Sequence, residues 1–111
     1  MDIVVTIPKS EYANDEAETR DYLANPENME QFWTLSKRPK KLNIGDRVFF
    51  VKHGRIESSM RVTRIKDDAT TVCETTGRVW SGKCQIFMDD LRMEHLDIRV
   101  RGFQGFRYRW W

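Results

Sequence analysis

The chain has little that fixes a fold by covalent or backbone restriction: two cysteines, three prolines and six glycines in 111 residues. Cys73 and Cys84 can pair only in an oxidising compartment. The opening Met1-Asp2, followed by Ile3-Val4-Val5, is too acidic and too short for an export signal, so both thiols are expected reduced and the protein cytoplasmic. No apolar run approaches the ~18–20 residues of a membrane span, so no membrane partner is expected. His53, Cys73, Cys84 and His95 are zinc-ligand types, but no two stand at a close C-x₂₋₄-C spacing. Neither a metal nor any other cofactor is therefore expected. Ser-His-Asp and phosphate-loop patterns are also missing. No repeat, low-complexity tract or linker divides residues 1–111, which read as a single domain.

What the chain does have is charge, sorted by sign along its length. Residues 1–33 carry eight acids and two bases, a net charge of −6. From Lys37 to Lys66 there are ten bases against only Asp46 and Glu57, and from Ile98 to Trp111 four arginines and no acid. The overall +2 hides this segregation. A phosphate backbone responds to local potential rather than to net charge, so the pattern points to a polyanion, with nucleic acid (RNA or DNA) as the expected partner. With 40% apolar residues and thirteen aromatic rings, the chain has the composition of a folded globular protein.

Local patterns divide the chain into elements. Asp2 to Ile7 reads as a strand closed by Pro8. Asp15 and Glu18 have capping-box spacing for a helix from about Glu16 to Ala24, stopped by Asn25-Pro26. A second short helix is expected from Asn25, with Met29, Phe32 and Trp33 on one apolar face. Val48-Phe49-Phe50-Val51 reads as a strand buried on both faces. Ile56, Met60 and Val62 alternate with Glu57, Ser59, Arg61 and Thr63, as in a strand with one wet side. Lys66-Asp67-Asp68 reads as a turn, Thr70 to Thr75 as a strand, and Val79 to Met88 as another with a bend or bulge at Gly82. Asp89 to His95 reads as a helical turn. Ile98 to Val100 and Phe106 to Trp110 complete the set. The sum is an α+β chain of about six mainly antiparallel strands with two short helices near the N-terminus.

A helix ending in Phe32-Trp33, a basic loop, then Leu42-x-x-Gly45-Asp46-x-Val48-x-Phe50, a turn, and a strand from Ile56 to Ile65 resembles the central portion of PUA-like domains, closest in style to the ASCH and EVE families. The resemblance covers residues 32–66 and, more loosely, Gly105-Phe106-Arg107-Tyr108. It implies a pseudobarrel that binds RNA or modified bases in a cleft beside the first helices. The Gly-x-Lys-x-x-Glu-x-Arg pattern of ASCH domains is missing here, so that family's pocket does not transfer.

From the residues themselves, the expected phosphate contacts are Lys37, Arg38, Lys40 and Lys41, where Pro39 restricts the loop backbone. Arg107 and Arg109 join them, because a period of two puts Phe106, Tyr108 and Trp110 on one side of a strand and these arginines on the other. Trp111 is expected to cover an open end of the barrel. Candidate base-stacking walls are Trp33, Trp80 and Tyr12.

Two alternatives stand beside this reading. The resemblance also implies an ASCH-like amidohydrolase acting on a modified nucleoside, whose lysine and threonine have no Lys-x-x-Thr counterpart around residues 34–41, although Glu57 and Glu74 offer strand carboxylates. An enzyme is the less favoured reading. The acidic surface of Asp15, Glu16, Glu18 and Asp21 could instead face a second copy of the chain or a basic protein, making the molecule an adaptor.

Overall fold

The structure, a computed structural model, describes residues 1–24, 30–72, 79–94 and 96–111, with the side chains of residues 15, 18, 19, 21–23, 68–72 and 79–83 outside that description. Six strands form one sheet: β1 (Ile3–Thr6), β2 (Gln31–Leu35), β3 (Arg47–Lys52), β4 (Arg55–Val72), β5 (Val79–Met93) and β6 (Phe106–Tyr108). Their spatial order is β2-β5-β4-β3-β1-β6. Only the β1–β3 pair is parallel; every other neighbour is antiparallel. A 3-10 turn, Lys9–Glu11, leads directly into α1 (Tyr12–Ala24).

The sheet curls into a half-barrel because its long strands carry extra residues. Register slips occur at Phe50/Val51 in the β3–β4 pair and at Ser59/Arg61 and Val62/Arg64 in the β4–β5 pair. Each bulge bends its strand and adds twist. The concave side gathers Ile3, Val5, Leu35, Val48, Phe50, Met60, Val62, Ile86 and Met88 into the main core. On the other face Val4, Phe49, Val51, Ile56 and Val100 make a second, smaller core, packed by Leu96, Ile98, Phe103 and Trp111. Strands β1 and β3 are thus buried on both sides, as the continuous apolar run of β3 predicts. The loop after β2 runs from one edge strand toward the other: Pro39 and Leu42 point inward, and the Lys41 amide donates to the Tyr108 hydroxyl on β6 at 3.1 Å.

Several expectations are corrected. The stretch expected as a second helix contains β2, which pairs with β5 from Gln31↔Met88 to Leu35↔Cys84; Met29 itself lies outside the described residues. Gln-Phe-Trp-Thr-Leu is rich in aromatic and β-branched residues, and its backbone bonding goes to β5, overriding the i, i+3, i+4 spacing. Helix α1 starts at Tyr12, so Asp15 lies inside it and does not cap it. Lys66-Asp67-Asp68 does not turn, since β4 runs unbroken through Lys66↔Gln85 and Asp67↔Cys84 to Val72↔Val79. Gly82 sits in regular register with Ala69. Asp89 to His95 is not a helical turn, because β5 continues to Met93 through Asp90, which takes a positive φ of 52° that aspartate tolerates. Ile98 to Val100 makes one isolated bridge, Arg55↔Arg99, rather than a strand. Ser59, expected on the wet side, is buried. Of the Thr70–Thr75 strand, Thr70 to Val72 belongs to β4, and the rest, like Cys73, lies outside the described residues.

Candidate nucleic-acid interface

Many of the basic side chains are committed to carboxylates. Arg47, mostly buried, is the centre of the largest network: it donates to the Ser59 hydroxyl at 2.9 Å, to the Ser59 carbonyl at 3.1 Å, to the Asp90 carboxylate at 3.0 Å and to the Asp90 carbonyl at 2.7 Å. The Ser59 hydroxyl in turn donates to Glu94 at 2.6 Å. Arg61 forks onto Asp89 with two bonds of 3.0 Å, Arg64 reaches Glu30 at 2.7 Å, and Arg92 pairs with Asp90 at 3.3 Å. The Arg47 hydrogen bond holds the Asp90 carboxyl below its ordinary value, against a smaller push upward from burial, and the charges of Arg92, Arg47 and Arg61 add to the lowering.

The expected phosphate contacts behave differently. Lys37, Arg38, Lys40 and Lys41 are all exposed. Arg38 is tied to Asp67 at 2.7 Å, but Lys37 and Lys40 have no ion pair among the described residues, and the Lys41 ammonium lies 5.9 Å from the Tyr108 ring. The loop is pinned beneath them. The Met1 ammonium donates to the Lys41 carbonyl at 2.6 Å and to Asp46 at 2.7 Å. Burial pushes the Asp46 carboxyl up, yet the bonds from Met1 and the Asn43 amide outweigh it and leave the carboxyl lowered.

On β6, Phe106 and Tyr108 pack on the main core and Arg107 points outward, as the period of two predicts. Arg107 stacks on Phe103 at 4.3 Å, and Arg109 sits 5.0 Å from the Phe49 ring and 5.2 Å from Trp111 while pairing with Asp2 at 3.1 Å. The pairings Val4↔Arg107 and Arg109 amide to Asp2 carbonyl order these groups along β1, with Met1 and Lys41 next beyond Asp2. The loop lysines and the tail arginines therefore border β6 from its two faces, at the free edge of the sheet. Arg101 is also exposed and without an ion pair among the described residues, while Arg99, equally exposed, bridges Arg55 beside the β3–β4 hairpin.

The stacking candidates fare unequally. Trp33 is half-buried on β2, 5.5 Å from Phe50, and packs on the main core, so it is a core anchor rather than a platform. Tyr12 also packs there; its hydroxyl accepts the His53 amide at 3.1 Å and its ring holds the Lys52 ammonium at 5.2 Å. The Trp80 side chain lies outside the described residues. Trp111 packs on the second core, edge-on to Phe49 at 5.1 Å, so it covers the other face of the sheet and not the expected open end of the barrel. Trp110 is the residue that alternation misplaced. It leaves the core side after β6 ends at Tyr108 and is 50% exposed, braced edge-on by Trp111 at 5.1 Å.

Among the described residues no His, Cys, Asp and Glu gather into a metal-holding group, and no helix is long and apolar enough to cross a membrane. Cys84 is a buried free thiol, its pKa raised by burial and by nearby Asp67. Comparison with protein-family models, with curated proteins and with solved structures finds no match.

Proposed function

We propose that the protein is a nucleic-acid-binding module, PUA-like in type, that holds a single strand of RNA or DNA along the β6 rim. The observation that carries this is the division of its cations. Arg47, Arg61, Arg64 and Arg92 of β3, β4 and β5 are matched to carboxylates, whereas Lys37, Lys40, Lys41, Arg101 and Arg107 are exposed with no carboxylate partner among the described residues, as is Arg55 at the hairpin end of β4. Unmatched surface cations displace counterions from a polyanion at little desolvation cost. Trp110 next to this rim offers an open ring for a base, which only an unpaired strand can present. Arg38, held by the half-exposed Asp67, and Arg109, held by the less exposed Asp2, frame the rim and can exchange that partner for phosphate.

The test is the salt dependence of binding to short labelled RNA and DNA oligomers, read by fluorescence anisotropy. Substituting Lys40→Gln and Lys41→Gln together should make the log–log slope shallower by about 0.7 for each single-strand phosphate that the loop no longer neutralises. An unchanged slope removes the loop from the interface.

A further inference from the structure

At the far end of β1 and β3 from the lysine loop, α1 and the β3–β4 hairpin enclose an open pocket of about 360 Å³, lined by Glu16, Arg20, Lys52, His53, Glu57 and Met93 among others. This is within the ~300–1,000 Å³ range of small-ligand sites. None of these residues belongs to the β6 rim.

Three local irregularities converge on the pocket. The hairpin turn His53-Gly54 has positive φ at both residues, 56° and 73°. That suits the turn, and histidine is among the residues that tolerate it; Tyr12 packs edge-on to the imidazole at 4.8 Å and fixes its place. Second, Val51 pairs with Ile56 and Phe50 with Ser58, which leaves Glu57 as the extra residue of a bulge. Bulges re-aim side chains, and this one gives the pocket a carboxylate. Third, the Glu57 Oε2 is buried with no hydrogen-bond partner among the described residues, an arrangement that costs free energy unless something supplies a donor. The same lining holds a second unusual group, Lys52, only 5% exposed, its ammonium 3.4 Å from Glu16 and over the Tyr12 ring.

The lining charges balance, two acids against Arg20 and Lys52. A bare phosphate would answer the cations but face Glu57, and a polyamine would do the reverse. A ligand carrying both signs answers both. We propose that the pocket binds a small zwitterion of the α-amino-acid type, its ammonium group donating to Glu57 and its carboxylate taken by Lys52 and Arg20, with Met93 and the Tyr12 ring beside its side chain.

The experiment titrates the full chain, by two-dimensional NMR and calorimetry, with each proteinogenic amino acid, and with the N-acetyl and amide derivatives of any that binds. Phosphate, spermidine and free nucleosides are run alongside. The expected result is saturable binding of one or more amino acids, with shifts in α1 and the β3–β4 hairpin, and at least about tenfold weaker binding once either terminal charge is blocked. Glu57→Gln should weaken binding by a similar factor without lowering the thermal midpoint of the free protein, since it removes a carboxylate that lacks a donor. Exposed Arg20→Gln provides a second probe that leaves the buried Lys52 in place. No saturation up to about 10 mM, tighter binding of a nucleoside, phosphate or spermidine, or affinity indifferent to both substitutions would overturn the assignment. Oligonucleotide binding measured on the same variants should not change, so the two proposals fail or stand separately.

Discussion

Arginine does two different jobs in two regions of this molecule. Within β3, β4 and β5, Arg47, Arg61, Arg64 and Arg92 each meet a carboxylate, Arg47 and Arg61 across strands, with Arg47 mostly buried and making four hydrogen bonds to Ser59 and Asp90. Around β6 most cations stand on aromatic rings or in water, and only Arg38 and Arg109 among the described residues there meet an aspartate. Both regions are rich in basic residues, and they differ in where the acids are. Charge matched inside the sheet strengthens the fold and is neutralised there; charge left unmatched at the rim costs little and remains open to an outside anion.

The comparison breaks most visibly at Arg47. Replacing it with Met takes four hydrogen bonds from Asp90 and the buried Ser59, and because Asp90 is partly exposed and keeps Arg92 the loss of stability should be about 2–3 kcal/mol, at or below the usual cost of halving a buried pair. Denaturant unfolding measures it, and oligonucleotide affinity per folded molecule should stay the same. A loss of affinity instead would place Arg47 in the interface and erase the distinction between the regions. At the rim the pattern should invert: Trp110→Ala should weaken single-strand binding by about 1–3 kcal/mol through the missing base stack while unfolding moves by no more than about 0.5 kcal/mol.

How much of this could be read from the chain depended on sequence distance. The two-sided burial of β3 was legible because Val48-Phe49-Phe50-Val51 is a continuous apolar run, and the outward aim of Arg107 because period two needs only neighbours. The course of β4 was not, since Lys66-Asp67-Asp68 has the composition of a turn and only its pairing with Gln85 and Cys84 makes it a strand. Strand β2 was not legible because a five-residue stretch with three apolar side chains fits either period. Which cations are free was invisible, because Arg38 finds Asp67 and Arg64 finds Glu30 only after the sheet forms. The pocket was equally hidden: Glu16, Lys52 and Glu57 have nothing to join them until α1 meets a hairpin whose bulge no local motif announces.

Acid should separate the regions in another way. The Asp90 and Asp46 carboxyls both titrate below their ordinary 3.8 in the folded protein, so the unfolded chain takes up these protons first as pH falls. Their contribution to stability is therefore fully present above about pH 5, and it is lost as pH drops through the ordinary and then the lowered values. Urea midpoints measured from pH 7 to pH 3 should fall most steeply below about pH 4, and Asp90→Asn should flatten that fall. An Asp90→Asn profile identical to the parent's would mean the matched network does not set acid stability.

The smallest expected effect is also the sharpest, because it converts one kind of arginine into the other. Arg38 sits in the rim loop but is held by Asp67, and both side chains are about half exposed, so the pair stabilises the fold by less than about 1 kcal/mol. Asp67→Asn keeps the shape of the partner and removes its charge. Stability should barely move, while the freed guanidinium should steepen the salt dependence of oligonucleotide binding by about 0.7, the increment of one more phosphate neutralised on a single strand. Gain of affinity from removing an acid that touches no proposed ligand would show that matching, rather than the mere presence of cations, decides which side of the sheet binds. A slope that stays put would mean Arg38 cannot reach the strand even when free, and would shift the binding path away from the β4 end of the loop toward Lys40, Lys41 and β6.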